Sequence, residues 1–183
     1  MRVTVFGSSR LGPDMEEYGC AERRGRLLAE RGETVVSGGY GGLMEAVSRG
    51  AHEAGGQVIG ITMETWNERL TPNPFLTENR PAPTLLVRIE QLLTSDHLMA
   101  LAGGAGTLAE VALAWNLRQM NPDVAKPLTL IGDRWRAMID QMRRYLIVTS
   151  HDLELLSVAD TVEEAVSMLN GLPASTTDAS WQG

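Results

Sequence analysis

Residues 98–110, LMALAGGAGTLAE, run from an apolar stretch through a glycine-rich turn into a helical pattern that carries Glu110. A second stretch of the same design, TVVSGGYGGLM, occupies residues 34–44. We refer to residues 37–42 as the first glycine loop and to residues 102–107 as the second glycine loop. Glycines let several backbone N–H groups point at one anion, and the positive end of the following helix attracts negative charge. The two loops together predict a nucleotide site with Glu110 as a carboxylate beside it.

The composition disfavours several classes of protein. The chain has 183 residues, of which 43% are hydrophobic and 21% are charged, and we expect one compact domain over 1–170 with a flexible tail over 171–183. The formal net charge of -7 disfavours nucleic-acid binding, and no apolar stretch approaches the roughly 20 residues of a membrane span. With a single cysteine, Cys20, and no secretory pattern at the N-terminus, the cytoplasm is the expected location.

Short apolar runs alternate with helical patterns along the chain, which is typical of an α/β fold. We expect strands at 2–6, 33–36, 57–62, 97–101, 128–131 and 155–158. We expect helices at 15–31, 43–54, 84–93, 108–120, 135–145 and 162–169, and an irregular, functional or mobile segment at 63–83. This order predicts a Rossmann-like, doubly wound parallel sheet with helices on both faces and ligands at the carboxyl ends of its strands.

The lysine content argues against two classes of site. Lys126 is the only lysine, and it stands before Pro127 at a strand entrance, away from both glycine loops. Walker-type phosphate loops and pyridoxal enzymes each require a lysine at the site. The histidines and the single cysteine form no cluster with metal-ligand spacing, so we predict no metal.

Candidate site residues follow the ends of the predicted strands. The second glycine loop would hold a phosphate on backbone donors, a threonine hydroxyl and a helix N-terminus. Its phosphate-binding residues would be Gly103, Gly104, Ala105, Gly106 and Thr107. The base and ribose pocket would be formed by Ser8, Ser37, Gly38, Gly39, Gly42 and Met44. Residues 104–109 also match a dinucleotide turn, but such a turn normally follows the first strand rather than the fourth, and tight packing turns are the remaining alternative.

Two charged residues are candidates for chemistry. Glu110 is expected in the first turn of its helix, where an acidic residue also stabilises the helix alone. As a functional group it would face the sugar rather than the phosphate, and it would orient water or stabilise an oxocarbenium-like centre. Arg88, on the preceding helix, is either a site residue that orients the ribose phosphate or a solvated surface arginine.

The blocks GGYGGLM at 38–44 and GGAGTLAE at 103–110, together with Lys126 and Pro127, resemble the LOG family. These are the cytokinin riboside 5'-monophosphate phosphoribohydrolases, long mislabelled lysine decarboxylases, and the resemblance covers residues 2–170. It implies a homodimer that needs no cofactor and hydrolyses the N-glycosidic bond of a nucleoside 5'-monophosphate, AMP or an N6-modified AMP, to free base and ribose 5-phosphate. It also implies catalytic roles for Glu110 and Arg88, with phosphate held by the glycine loop.

Two positions depart from the family pattern. Ala102 stands where the family usually has proline, and Ile89 follows Arg88 where the family has lysine, with Arg88 one residue nearer the loop. Because one helical residue rotates a side chain by about 100°, the direction of Arg88 bears on whether the chemistry is retained. The competing hypothesis is a non-catalytic nucleotide or molybdenum-cofactor carrier on the same fold.

Overall fold

A computed structural model describes residues 1–171, and of the tail predicted at 171–183 all but Gly171 lies outside these residues. The strands are β1 (Arg2–Phe6), β2 (Thr34–Ser37), β3 (Val58–Met63), β4 (Glu78–Ala82), β5 (His97–Ala100), β6 (Leu128–Ile131) and β7 (Ser157–Ala159). The helices are α1 (Glu16–Glu30), α2 (Leu43–Glu53), α3 (Leu85–Leu93), α4 (Ala105–Met120), α5 (Asp133–Tyr145), α6 (Ser150–Glu154) and α7 (Val162–Ser167), followed by a 3₁₀ turn (Met168–Gly171). None of the helices within residues 1–171 is long and apolar enough to span a bilayer.

Within the described residues, seven parallel strands form one sheet in the order β4-β3-β2-β1-β5-β6-β7. Strands β2, β3 and β4 lie in turn on one side of β1, and strands β5, β6 and β7 lie in turn on its other side. The strand order therefore reverses between β1 and β5. In open α/β sheets, ligands bind at the carboxyl ends of the strands that flank such a reversal. The predicted Rossmann-like fold is confirmed, and a predicted site loop follows each of these two strands.

Apolar side chains of the sheet enter two cores, one on each face. Because successive residues of a strand point to opposite faces, Val5 of β1 lies in one core and Phe6 lies in the other. Helical residues of the first core include Leu28 of α1, Val47 of α2 and Ala165 of α7. Helical residues of the second core include Val111 and Trp115 of α4 and Trp135 of α5. Helices therefore cover both faces, as predicted.

Three elements differ from the sequence-based expectation. The segment predicted to be irregular ends in the edge strand β4, which pairs with β3 and contains Pro81. A proline is tolerated there because one side of an edge strand makes no ladder hydrogen bonds. The short helix α6 was not predicted, and its start is fixed by a capping box between Thr149 and Asp152. Finally, α4 begins at Ala105 rather than at 108, so part of the second glycine loop is already helical.

Candidate functional site

The loops that follow β1 and β5 are hydrogen-bonded to each other. Leu101 N donates to Phe6 O at 2.9 Å and Ser8 N donates to Ala102 O at 3.0 Å, so the ladder between the strands continues beyond their ends. The carbonyl of Ser8 also accepts a hydrogen bond of 2.8 Å from Leu43 N at the start of α2. The segment after β1, the first glycine loop and the second glycine loop therefore meet at the carboxyl ends of β1, β2 and β5.

The second glycine loop is open to solvent over most of its length. Gly103, Gly104, Ala105 and Gly106 are exposed, and α4 starts directly after Gly104 without a side-chain cap. The first N–H groups of a helix have no partner within the helix and lie at the positive end of its dipole. Such an end can bind a phosphate group. Thr107 differs from its neighbours because it is buried, and a Cβ on Gly103 would lie 2.2 Å from its Oγ1.

Glu110 lies in the second turn of α4, one turn later than predicted, because the helix begins at Ala105. The residue is only 9% exposed and shares the buried face of the helix with Thr107 and Val111. Burial disfavours the charged form and raises the pKa of the Glu110 carboxyl to about 7, although the guanidinium of Arg88 favours the charged form. A carboxyl group with this pKa can exchange a proton near neutral pH.

Arg88 projects from the buried face of α3 and pairs with this carboxyl group. Its Nη1 lies 3.5 Å from Oε1 of Glu110, its Nε donates to Ile61 O at 2.8 Å, and its Nη2 donates to Gly38 O at 3.2 Å. Burial lowers the pKa of Arg88 while Glu110 opposes that change, and an arginine with these partners remains a cation. Arg88 is therefore a buried partner of Glu110 rather than a solvated surface arginine, and Ile89, which replaces the family lysine, is also buried.

Residues 37–40 of the first glycine loop are buried, and several of their polar groups form hydrogen bonds inside the protein. Gly39 N donates to Ser37 Oγ at 3.2 Å, and Asn73 N donates to Gly39 O at 2.9 Å. The side-chain amide of Asn73 adds a bond of 3.1 Å from Nδ2 to Tyr40 O. Because these groups are already paired, the loop is a rigid support rather than an open cradle.

Two glycines of this loop are required by close approaches. A Cβ on Gly38 would lie 2.2 Å from Nη2 of Arg88 and 2.5 Å from Sδ of Met44, so glycine leaves the space that the guanidinium occupies. Gly42 has a φ of 71°, and a Cβ there would lie 2.3 Å from the carbonyl oxygen of Ser8. The loop therefore influences the site by positioning Arg88 and the segment after β1.

Comparison with known proteins identifies the family. A family model described as the SLOG cluster4 family matches residues 1–124, more than half of the chain. The chain belongs to the SLOG cluster4 family. An uncharacterized protein of Archaeoglobus fulgidus is 30% identical to it, over 82% of this chain and 97% of that protein. A cytokinin riboside 5'-monophosphate phosphoribohydrolase of Arabidopsis thaliana is 35% identical, over 92% of this chain and 81% of that protein.

The resemblance to the LOG family is therefore confirmed, but the SLOG fold is not confined to proteins named as hydrolases. The solved structure of the molybdenum cofactor carrier protein of Chlamydomonas reinhardtii superposes with a TM-score of 0.71 at 25% identity. The match covers 92% of this chain and 95% of the carrier. Because one fold hosts different functions, the chemistry of this SLOG protein has to be argued from its own site.

The predicted site residues of this SLOG protein fall into two groups. The following residues are exposed or half-buried where the segment after β1 and the two glycine loops meet: Ser8, Gly42, Gly103, Gly104, Ala105 and Gly106. Those that are buried are Ser37, Gly38, Gly39, Met44, Arg88, Thr107 and Glu110. In the first group, the exposed backbone of residues 103–106 is open to a ligand, whereas the backbone N–H and carbonyl of Ser8 are already bonded to Ala102 O and Leu43 N. The residues of the second group lie beneath this surface.

The turn at 64–70 adds a wall that we did not predict. The ring centroid of Trp66 lies 5.6 Å from Cζ of Arg88, and the indole is close to the ring of Tyr40 at 6.1 Å between centroids. The hydroxyl of Tyr40 donates to Oδ1 of Asn67 at 3.0 Å and accepts from Met63 N at 2.8 Å. These bonds tie the turn to the first glycine loop.

The same turn borders an open pocket on the surface. Trp66, Arg69 and Leu70 line a space of about 320 Å³. The sequence offered one signal for it, a tryptophan in the long segment at 63–83. Asn73 offered none, since nothing in its sequence neighbourhood indicates that its amide would be buried against a glycine loop.

Proposed function

We propose that this protein hydrolyses the N-glycosidic bond of a nucleoside 5'-monophosphate, AMP or an N6-modified AMP, to free base and ribose 5-phosphate. The observation that carries the proposal is the buried pair of Glu110 and Arg88 beside the open N-terminus of α4. A carboxyl group with a pKa of about 7 next to a phosphate-binding loop is suited to proton transfer on a phosphorylated sugar. The Arabidopsis thaliana relative, named a cytokinin riboside 5'-monophosphate phosphoribohydrolase, supports the same reaction.

In the proposed scheme, the 5'-phosphate rests on the second glycine loop and Glu110 faces the ribose. As the bond between C1' and the base nitrogen breaks, the carboxylate stabilises the positive charge that develops at C1' and accepts a proton from the attacking water. The water oxygen bonds to C1', the departing base takes up a proton from Glu110 or from solvent, and Glu110 returns to the carboxylate. Arg88 holds Glu110 in place and favours its charged form, and Ser8 and Gly42 border the ribose. The scheme needs neither a metal nor a cofactor.

The proposal is tested by chromatography of the protein after incubation with AMP and a panel of other nucleoside monophosphates. Replacing Glu110 with glutamine removes the proton-accepting carboxylate, so turnover should fall by a factor of about 10² to 10⁴. Stabilisation of the folded protein by bound AMP should remain. Glu90→Gln, an exposed change on α3, is the matched control and should retain full turnover. Unchanged turnover in Glu110→Gln would remove Glu110 from the mechanism.

The pH dependence gives an independent test of the same carboxyl group. In this scheme Glu110 acts as the carboxylate, and burial raises its pKa to about 7. Below that pH the group is protonated, so kcat/KM should fall by up to about tenfold per pH unit, and above it kcat/KM should level off. A profile that falls as the pH rises through 7 would instead give Glu110 the role of a general acid.

The second candidate function is a non-catalytic carrier of a nucleotide or of the molybdenum cofactor. The likeness to the Chlamydomonas reinhardtii carrier, which extends over nearly the whole of both chains, favours it. Tight nucleotide binding with no release of base, in a preparation whose loop and carboxyl group are intact, would support the carrier and contradict the hydrolase.

We also propose that the protein is a homodimer in the cytoplasm that acts on a small-molecule nucleotide. Leu113, Leu117 and Met120 of α4 are 42%, 46% and 70% exposed and recur at helical spacing on one side of the helix. An apolar stripe of this kind fits a second copy of the chain. Leu117→Lys should convert the dimer to monomer in light-scattering measurements, and a monomeric wild type would contradict the dimer. The exposed free thiol of Cys20 fits a reducing compartment.

A further inference from the structure

Trp66 lies against the buried pair of Glu110 and Arg88 without being part of it. Cζ of Arg88 lies over the indole ring, 5.6 Å from its centroid. Arg88 is 6% exposed, whereas Trp66 is 37% exposed. The indole therefore forms an outer layer over a buried cation, and part of its own surface meets solvent.

The polar partners of Arg88 lie at the edge of its guanidinium. Its Nε donates to Ile61 O, its Nη2 donates to Gly38 O, and its Nη1 lies 3.5 Å from Oε1 of Glu110. The N–H groups of a guanidinium lie in its plane, so these three partners leave its flat faces uncovered. The face of an indole attracts a cation. Trp66 thus provides a contact that the three oxygen atoms cannot provide.

The turn that carries Trp66 is held in place from two sides. Oδ1 of Asn67 accepts a hydrogen bond of 3.0 Å from the hydroxyl of Tyr40 in the first glycine loop. Nδ2 of Asn67 donates to Oγ1 of Thr62 in β3 at 3.3 Å. The rings of Trp66 and Tyr40 are also in contact, with 6.1 Å between their centroids. Because the loop and the strand fix the turn, the indole is fixed over Arg88.

We propose that Trp66 is a positioning residue whose indole shields the pair of Glu110 and Arg88 from water. Two charges interact more strongly where water is excluded, so the shield strengthens the hold of Arg88 on Glu110. This role deepens the proposed function, on which it rests, because Glu110 is the group that accepts the proton there. The indole acts on Glu110 through Arg88 and needs no contact with a ligand.

The surroundings of Glu110 affect its proton affinity in two opposing ways. Burial raises the pKa of this carboxyl group to about 7 and outweighs the attraction of Arg88, which lowers the pKa. Besides Glu110, the hydroxyl of Tyr40 is the titratable group that acts on Arg88 among the described residues. Without the indole, water reaches the guanidinium, 3.5 Å from the carboxyl group, and weakens both effects. Because burial has the larger effect, the pKa should fall towards its ordinary value of 4.5.

The test is a titration of Glu110 by NMR, in protein whose glutamate carboxyl carbons are isotopically labelled. The signal of Glu110 is assigned by its loss in Glu110→Gln. Trp66→Ala and Trp66→Phe are compared with wild type, and Leu70→Ala is the matched control. Leu70 is 49% exposed on the same turn, and the bond from its backbone N–H to Trp66 O does not depend on its side chain. Urea denaturation establishes that each variant is folded.

Trp66→Ala should lower the pKa of Glu110 by about one unit or more. Trp66→Phe should restore most of the wild-type pKa, because the contacts of Trp66 with Arg88 and Tyr40 are made by its ring and a phenyl ring can also cover the guanidinium. Leu70→Ala should leave the pKa unchanged. The acidic limb of the kcat/KM profile should move to lower pH in Trp66→Ala by the same amount as the pKa.

Three results would overturn this role of Trp66. The pKa of Glu110 could stay unchanged in Trp66→Ala, or it could rise, which would mean that no water enters when the indole is removed. An equal fall in Leu70→Ala would assign the effect to the turn rather than to the ring. The titration does not require turnover, so a protein with the expected pKa values that releases no base would retain the role of Trp66 and lose only the proposed hydrolysis.

Discussion

The two glycine loops look alike in sequence, but their structures differ. Each follows a parallel strand and precedes a helix. In the first loop, residues 37–40 are buried, and Gly39 and Gly42 have φ values of 77° and 71°. In the second loop, residues 103–106 are exposed, and a Cβ added to Gly104 or Gly106 would meet nothing within 4 Å. The fold needs Gly38, Gly39 and Gly42 of the first loop, whereas Gly104 and Gly106 leave open a space that the fold does not fill.

This difference separates two uses of glycine that a sequence pattern cannot distinguish. Glycine in the first loop satisfies backbone geometry and makes room for the guanidinium of Arg88. Glycine in the second loop keeps side chains away from the first N–H groups of α4, where an anion can bind. Gly38, Gly39 and Gly42 should therefore respond to substitution with lost stability, and Gly104 and Gly106 with lost affinity.

The largest effect is expected at Gly42 in the first loop. In Gly42→Ala the new Cβ would lie 2.3 Å from Ser8 O, at a φ of 71°, so we expect the free energy of unfolding to fall. The backbone strain and the clash together should cost about 3 kcal/mol or more in urea denaturation.

Gly55→Ala is the control for Gly42→Ala. Gly55 also has a positive φ, of 78°, but nothing lies within 4 Å of an added Cβ, so this variant gives the cost of a positive φ without a close contact, about 1 kcal/mol. Equal losses in the two variants would contradict the close contact with Ser8.

Asn73 should give the next largest effect because it holds the first loop from outside. It is 6% exposed, its Nδ2 donates to Tyr40 O at 3.1 Å, and its Oδ1 accepts from Phe75 N at 3.2 Å. Asn73→Ala leaves Tyr40 O and Phe75 N without these partners, so the free energy of unfolding should fall by about 2 kcal/mol. Asn121→Ala, an exposed change at the end of α4, should alter it by no more than about 0.5 kcal/mol. A neutral Asn73→Ala would mean that the first loop is rigid without this support.

Much of this architecture could be predicted from the sequence because its signals are local. Alternating apolar runs and helical patterns located most strands and helices, and the block ending in Glu110 marked the candidate carboxyl group. Pro81 and the polar residues around it concealed β4, since its edge position depends on pairing with β3. The glycines of the second loop likewise concealed the first turn of α4, because helix propensity alone disfavours them.

The contacts between distant segments could not be predicted. Arg88 depends on Ile61 O, Gly38 O and the indole of Trp66, which come from three other parts of the chain. The first glycine loop is bonded by Asn73 from a distant segment, and the side chain of Asn73 gives no local signal of its partners. Tertiary packing decides these points, so a pattern can identify a loop without indicating which face of it a ligand meets.

Gly104→Ala tests whether the second loop binds phosphate. An added Cβ would meet nothing within 4 Å, so the free energy of unfolding should stay within about 0.5 kcal/mol of wild type. If a phosphate rests on this loop, the methyl group enters its space and ribose 5-phosphate should bind about tenfold more weakly, as measured by calorimetry. Unchanged affinity would remove Gly104 from the phosphate site, and a large loss of stability would make the second loop a packed turn like the first.

The smallest expected effect, at Gly106, has the opposite sign. Gly106 is the second residue of α4, and an added Cβ would meet nothing within 4 Å. Alanine restricts the unfolded chain and favours the helix, so Gly106→Ala should raise the free energy of unfolding by about 0.5 kcal/mol. The same variant should bind ribose 5-phosphate more weakly than wild type. A glycine whose removal stabilises the fold but impairs binding serves the ligand, whereas destabilisation by Gly106→Ala would show that this position is packed as tightly as Gly42.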